Sequence, residues 1–209
     1  MKVLMINGSS NETGCTYTAL NEIANSLELE NIESEILQLG VHSYHDCTGC
    51  GACRSALNGK CIFDDDLVNE LIEKAATADG FVFGTPVYYA HPSGRLLSVL
   101  DRAFFAGGKN FAFKPAAAIA SARRAGTTAS LDAINKYFTI NQMPIVSSSY
   151  WNMVHGKTSD DVLKDLEGLQ TMRHLAKNMA YFLKLIEFGK QNGIVPPIND
   201  KEFMTNFIR

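Results

Sequence analysis

The chain reads as an α/β protein, a parallel sheet covered by helices on both faces, and three observations predict this. Short apolar, β-rich runs alternate with longer stretches of helical period. The length, 209 residues, suits one domain with some decoration. Apolar residues at 46% and charged residues at 20% are ordinary for a globular protein and argue against disorder or a fibrous class.

In chain order, strands are expected at 2–6, 34–38, 80–83, 116–120 and 144–147, five in all. Amphipathic helices are expected near 16–29, 66–78, 93–105, 126–139 and 160–188. In the last, Leu163, Leu166, Leu169, Met172, Leu175, Met179 and Leu183 recur at steps of three and four, so one face belongs to the core. Three segments interrupt the alternation: a cysteine-bearing insertion at about 46–63, a loop at 106–114, and a tail at about 189–209. The tail carries Gly193 and the pair Pro196-Pro197, which suit an irregular arm laid across a neighbouring subunit. With no internal repeat and no low-complexity linker, the chain is expected to form a single domain, 1–209.

A net charge of -3 provides no basic stripe for phosphate backbones, so nucleic acid is not an expected partner. The apolar run at the start is too short for a signal-peptide core, and no stretch approaches the roughly 18 apolar residues of a membrane span. A cytoplasmic, membrane-free protein is the expectation.

The first strand feeds Asn7-Gly8-Ser9-Ser10-Asn11-Glu12-Thr13-Gly14-Cys15-Thr16, after which a helix begins. Such a loop presents unpaired N–H groups and the positive end of a helix dipole, a place for an anion. This loop contains neither Gly-x-Gly-x-x-Gly nor Gly-Lys-Ser/Thr and holds no lysine or arginine, so a monophosphate suits it better than a triphosphate. The alternative is an ordinary Ser/Thr-rich turn capped at Thr16.

Gly8, Ser9, Gly14 and Thr16 resemble the loop of the flavodoxin-like NAD(P)H-dependent FMN reductase family, and Gly84-Thr85-Pro86-Val87-Tyr88-Tyr89 resembles its second flavin segment. The third corresponds, more weakly, to Ser121-Ala122-Arg123-Arg124-Ala125-Gly126. The resemblance implies a three-layer flavodoxin-like sandwich with sheet order 2-1-3-4-5 and FMN as cofactor. It further implies phosphate contacts at Ser9, Ser10, Asn11, Gly14, Cys15 and Thr16. Ring contacts are implied at Thr85, Pro86, Val87, Tyr88, Tyr89, Ser121, Ala122, Arg123, Arg124 and Gly126. An arginine near the flavin favours negative charge on the reduced ring, although an arginine pair also serves as a solvated face.

Cys47-x2-Cys50-x2-Cys53-x7-Cys61 lets successive sulfurs converge, with Gly49 and Gly51 easing the backbone around them. A [4Fe–4S] cluster, zinc and uncoordinated thiols are all compatible; the compact spacing favours the cluster, and the wide last gap makes Cys61 the least secure ligand. The motif is similar to that of the iron–sulfur flavoproteins, where the cluster links an external carrier such as ferredoxin to FMN. Cys15 reads as a small packing residue, His42 and His45 as surface histidines, and His91 as a loop residue with a proton-relay role in second place. Trp151 is read as covering the flavin, a subunit contact or core, and Asp64-Asp65-Asp66 as a helix-capping run.

The resulting expectation is a flavin-dependent oxidoreductase in which the chemistry resides on FMN, organised as a homodimer or homotetramer. Electrons arrive through the cluster from a small redox protein or, without a cluster, from NAD(P)H, for which no dinucleotide fingerprint is present. A non-enzymatic carrier and a thiol redox sensor stand as competing classes.

Overall fold

A computed structural model describes residues 1–200 and 202–207. The sheet is built from β1 (Lys2–Asn7), β2 (Glu33–Gln38), β3 (Gly80–Tyr88), β4 (His91–Pro92), β5 (Ala116–Ala122) and β6 (Met153–His155). Around it lie α1 (Cys15–Leu29), α2 (Val68–Thr77), α3 (Gly94–Gly107), α4 (Thr127–Ile140), α5 (Ser159–Val162) and α6 (Leu166–Gln191). The order along the sheet is β2-β1-β3-β5-β6, all neighbours parallel, with β4 antiparallel on the end of β3. The expected order 2-1-3-4-5 therefore holds for the five parallel strands, and the two-residue β4 makes a sixth among the described residues.

Side chains alternate between two cores. Leu4, Ile6, Phe81, Phe83, Ala116, Ala118 and Ala120 face α2, α3 and α4. Val3, Met5, Val82, Ala117 and Ile119 face α1 and α6. The small alanines of β5 leave room for an aromatic cluster, in which Phe83 meets Phe138 at 5.3 Å and Phe81 meets Phe111 at 4.9 Å between ring centres. Burial on both faces explains why these strands read as continuous apolar runs.

Several boundaries differ from expectation. β3 runs on to Tyr88 instead of ending at 83, carried by its pairing with β5 and β4. The fifth strand does not lie at 144–147: Ile145 forms an isolated bridge with Ala116, the chain then leaves the edge, and pairing resumes at Met153–His155. The long last helix divides into α5 and α6, because Thr158 and Asp161 form a capping box and Asp165 accepts from Gly168 N–H at 3.0 Å to start α6. α6 then continues to Gln191, so Gly189 lies inside the helix and the arm begins after it. Parallel register gathers Gln38, Asn7, Pro86, Ser121 and His155 toward one end of the sheet, where open α/β sheets bind ligands.

Candidate functional site

The loop between β1 and α1 is braced from beneath. Gly8 N–H donates to Gly84 O at 2.8 Å, and Ser93 Oγ donates to Gly8 O at 2.8 Å. Asn7 Nδ2 donates to Gln38 Oε1 at 2.6 Å, while Gln38 Nε2 donates to Ser9 O at 3.0 Å. A Cβ at Gly8 would stand 2.8 Å from Gly84 O, so this approach requires glycine. Side chains two residues back take up alternate amides: Ser9 N–H donates to Asn7 Oδ1, Asn11 N–H to Ser9 Oγ, and Thr13 N–H to Asn11 Oδ1. The helix itself starts on Gly14 without a side-chain cap, whereas Ser93, Thr158 and Asp165 cap α3, α5 and α6. The first N–H groups of α1 consequently point outward without intrahelical partners.

Beside this loop opens a cleft of about 420 Å³. Ser9, Asn11, Thr13, Gly14, Cys15 and Thr16 form one wall, and Pro86, Val87 and Tyr88 at the end of β3 form a second. Ser121, Ala122 and Arg123 at the end of β5 form a third. Thr16 Oγ1 and Ser121 Oγ, 2.8 Å apart and both buried, tie the first wall to the third. A fourth wall, Gly156-Lys157-Thr158-Ser159, follows β6. Sequence reasoning missed it by placing the strand too early; the Thr158-x-x-Asp161 capping signature was the available signal.

Other expected contacts lie behind or beyond these walls. Ser10 belongs to the loop but does not line the cleft. Thr85 is buried, accepting from Ser93 N–H at 2.9 Å and donating to Pro86 O at 2.8 Å, which shapes the turn beneath Pro86. Tyr89 and Ala90, at φ 49° and 62°, form the tight tip joining β3 to β4, and Tyr89 is fully exposed there. Gly126, at φ 95°, packs so closely that a Cβ would stand 2.5 Å from Ala90 Cα. It supports the hairpin. Arg124 is exposed and its carbonyl accepts from His155 Nε2 at 3.1 Å. Cys15 donates through Sγ to Gly156 O at 3.6 Å, and burial pushes its thiol pKa up, in keeping with packing. Trp151, half-exposed against Tyr150, lines a separate cleft with Asp132, Asn135 and Asn152; His91 is exposed on β4.

The cysteine segment packs on α2 and α3. Cys47, Cys50, Cys53 and Cys61 are free thiols that all line one cavity, together with Ile62, Phe63, Arg102 and Phe105. Gly49 and Gly51 adopt φ of 67° and 72°, the left-handed region that glycine favours. Among the described residues, no three His, Cys, Asp or Glu side chains gather tightly enough to hold a single metal ion. His45 stacks on Phe63 at 4.5 Å, and Tyr44 donates to Leu39 O at 3.0 Å, its hydroxyl pKa pushed up to about 12 by burial. Arg102, 1% exposed, lies under the cavity with its guanidinium on Asp66. Burial opposes that charge, and the Asp66 carboxylate and Cys61 thiol more than offset it, holding the group above its ordinary range. Asp66 also accepts from Val68 N–H at 3.0 Å; it lies one residue before Leu67, the N-cap of α2, so it braces the approach to that helix while pairing a buried cation.

The sequence pattern described as NADPH-dependent FMN reductase matches residues 1–158. An iron–sulfur flavoprotein of Methanocaldococcus jannaschii is 33% identical over 90% of this chain and 100% of its own. One of Methanosarcina thermophila is 27% identical over 90% of this chain and 97% of its own. A solved flavodoxin from the domain Archaea superposes with a TM-score of 0.61 at 14% identity, covering 88% of this chain and 99% of that one, which shows the fold. No helix among the described residues is long and apolar enough to cross a membrane. By fold, by cleft and by sequence, the chain belongs to the NADPH-dependent FMN reductase family and is a flavin-dependent oxidoreductase.

Proposed function

We propose that FMN occupies the four-walled cleft, that Cys47, Cys50, Cys53 and Cys61 hold a [4Fe–4S] cluster, and that the protein exchanges electrons with a small redox protein such as ferredoxin. The observation that carries this reading is the convergence of all four cysteines on one cavity. It gains support from relatives named iron–sulfur flavoproteins that match over nearly their whole length. The donor set fits a cubane, which spreads its thiolates over four irons instead of crowding them around one ion. Ile62, Phe63 and Phe105 add apolar walls to that cavity. When bound, FMN supplies one- and two-electron chemistry and the cluster one-electron chemistry.

The chain's own residues bind and orient. Open amides at the start of α1, with the hydroxyls of Ser9 and Thr13, suit the phosphate. Val87, Tyr88 and Ala122 offer surface to the ring, and Arg123 brings positive charge that favours the anionic reduced form. Thr85, Tyr89, Arg124 and Gly126 shape the loops that carry those contacts. A second reading has NAD(P)H as donor, supported by Lys157 and Arg123, both cations lining the cleft and available to a further anionic group. The exposed Ile194, Val195, Ile198, Phe203, Met204 and Phe207 support a homodimer or homotetramer built through the arm.

A visible spectrum of anaerobically purified protein, with iron and sulfide analysis, tests the reading. Flavin bands with iron and sulfide are expected; flavin without iron removes the cluster, and failure to take up FMN removes the whole proposal. Turnover with NADH, NADPH and reduced ferredoxin then separates the donors.

A further inference from the structure

The four cysteines are not held alike. Cys47 and Cys50 are exposed, in a stretch where 42–50 form neither helix nor strand. Cys61 is clamped from two helices. Its N–H donates to Asn69 Oδ1 at 2.8 Å and its carbonyl accepts from Asn69 Nδ2 at 3.0 Å, so both main-chain groups are fixed to α2. Asn69 is buried and also donates to Asp64 Oδ1 at 2.9 Å. From α3, Arg102 Nε donates to Cys61 Sγ at 3.2 Å. The guanidinium has little freedom, since it also donates to Phe63 O at 3.1 Å, His45 O at 3.4 Å and both oxygens of Asp66.

We propose that Asn69 and Arg102 are positioning residues that make Cys61 the fixed ligand around which Cys47, Cys50 and Cys53 close, and that the Arg102 Nε–H bond to its sulfur raises the reduction potential of the group held there. This rests on the cluster reading above. A donor aimed at a ligand sulfur withdraws electron density and favours the reduced, more negative state. The order inverts the sequence expectation, in which Cys61 was the least secure of the four.

The test uses the full-length holoprotein and three variants, Asn69→Ala, Arg102→Lys and the charge-balanced pair Asp66→Asn with Arg102→Gln, which leaves no buried ion unpaired. Redox titration of the cluster is expected to show Arg102→Lys and the pair with a reduced-to-oxidised ratio about tenfold lower at fixed potential. That corresponds to a fall of about 59 mV for a one-electron couple. Asn69→Ala keeps the sulfur donor, so it is expected to lower cluster retention more than potential. Iodoacetamide footprinting of cluster-free protein, read by mass spectrometry, gives a measure independent of iron. Cys61 is expected to react several-fold more slowly than Cys47 and Cys50, with that protection lost in Asn69→Ala. Wild-type protein that holds no iron but protects Cys61 would end the cluster reading and leave the clamp standing. Unchanged potentials in the Arg102 variants, or a Cys61 that reacts as fast as Cys47, would overturn the inference.

Discussion

Thr16 and Ser121 share a single hydrogen bond at 2.8 Å, yet one opens α1 and the other ends β5, 105 positions apart, and together they join two walls of the cleft. Thr16→Val leaves the Ser121 hydroxyl buried without this partner, a loss of about 1–3 kcal/mol. Urea denaturation is expected to register that loss, and fluorescence titration a weaker FMN affinity. Gly126→Ala brings a Cβ against Ala90 and forces an L-residue to φ 95°. It is expected to loosen the β3–β4 hairpin and weaken FMN binding more than it lowers the melting temperature, a comparison that titration and calorimetry provide. Residues of the β1–α1 loop were legible in the sequence because strand, glycine, hydroxyls and helix start follow one another locally. Asn69 and Arg102 were not. Arg102 meets Cys61 across 41 residues, and nothing in the spacing of either segment announces a buried guanidinium beneath a cysteine.

At the level of elements, β2 is tied to its neighbours by one carboxylate. Glu35 accepts from Lys2 Nζ at 2.5 Å and Lys74 Nζ at 2.6 Å, and these partners, Lys2 first, hold its pKa below the usual 4.5. A carboxyl lowered on folding stabilises the fold fully above 4.5, and that contribution disappears as pH falls through the folded value. Glu35→Gln is expected to flatten this part of the acid limb, seen as a smaller drop in urea midpoint between pH 5 and more acidic buffers than wild type shows. The parallel strands and most helices were readable because they carry long apolar periods. β6 was not: three residues, Met153–His155, give too short a pattern, while the apolar Ile145 and Val146 nearby make only a bridge. The misplacement carried the fourth wall of the cleft with it, since a loop is located only as well as the strand before it.

Across the whole molecule, the cleft and the cysteine cavity share no lining residue. If the cysteine cavity holds the proposed cluster, removal of FMN is therefore expected to leave iron content unchanged, which metal analysis of flavin-stripped protein checks. The sheet order was legible as a whole because alternating strands and helices admit few arrangements, whereas the arm's environment belongs to no pattern within the chain. The uncapped start of α1 has a consequence for how long the protein lasts. A helix whose end is closed by a ligand becomes the weak end of the fold when that ligand is scarce. Ligand at a hundredfold above its dissociation constant adds about 2.7 kcal/mol to the folded state. Protease digestion with and without FMN is expected to show the flavin-free chain cut sooner, near residues 8–16. Vitamin supply would then set the working lifetime of the polypeptide as well as its redox state.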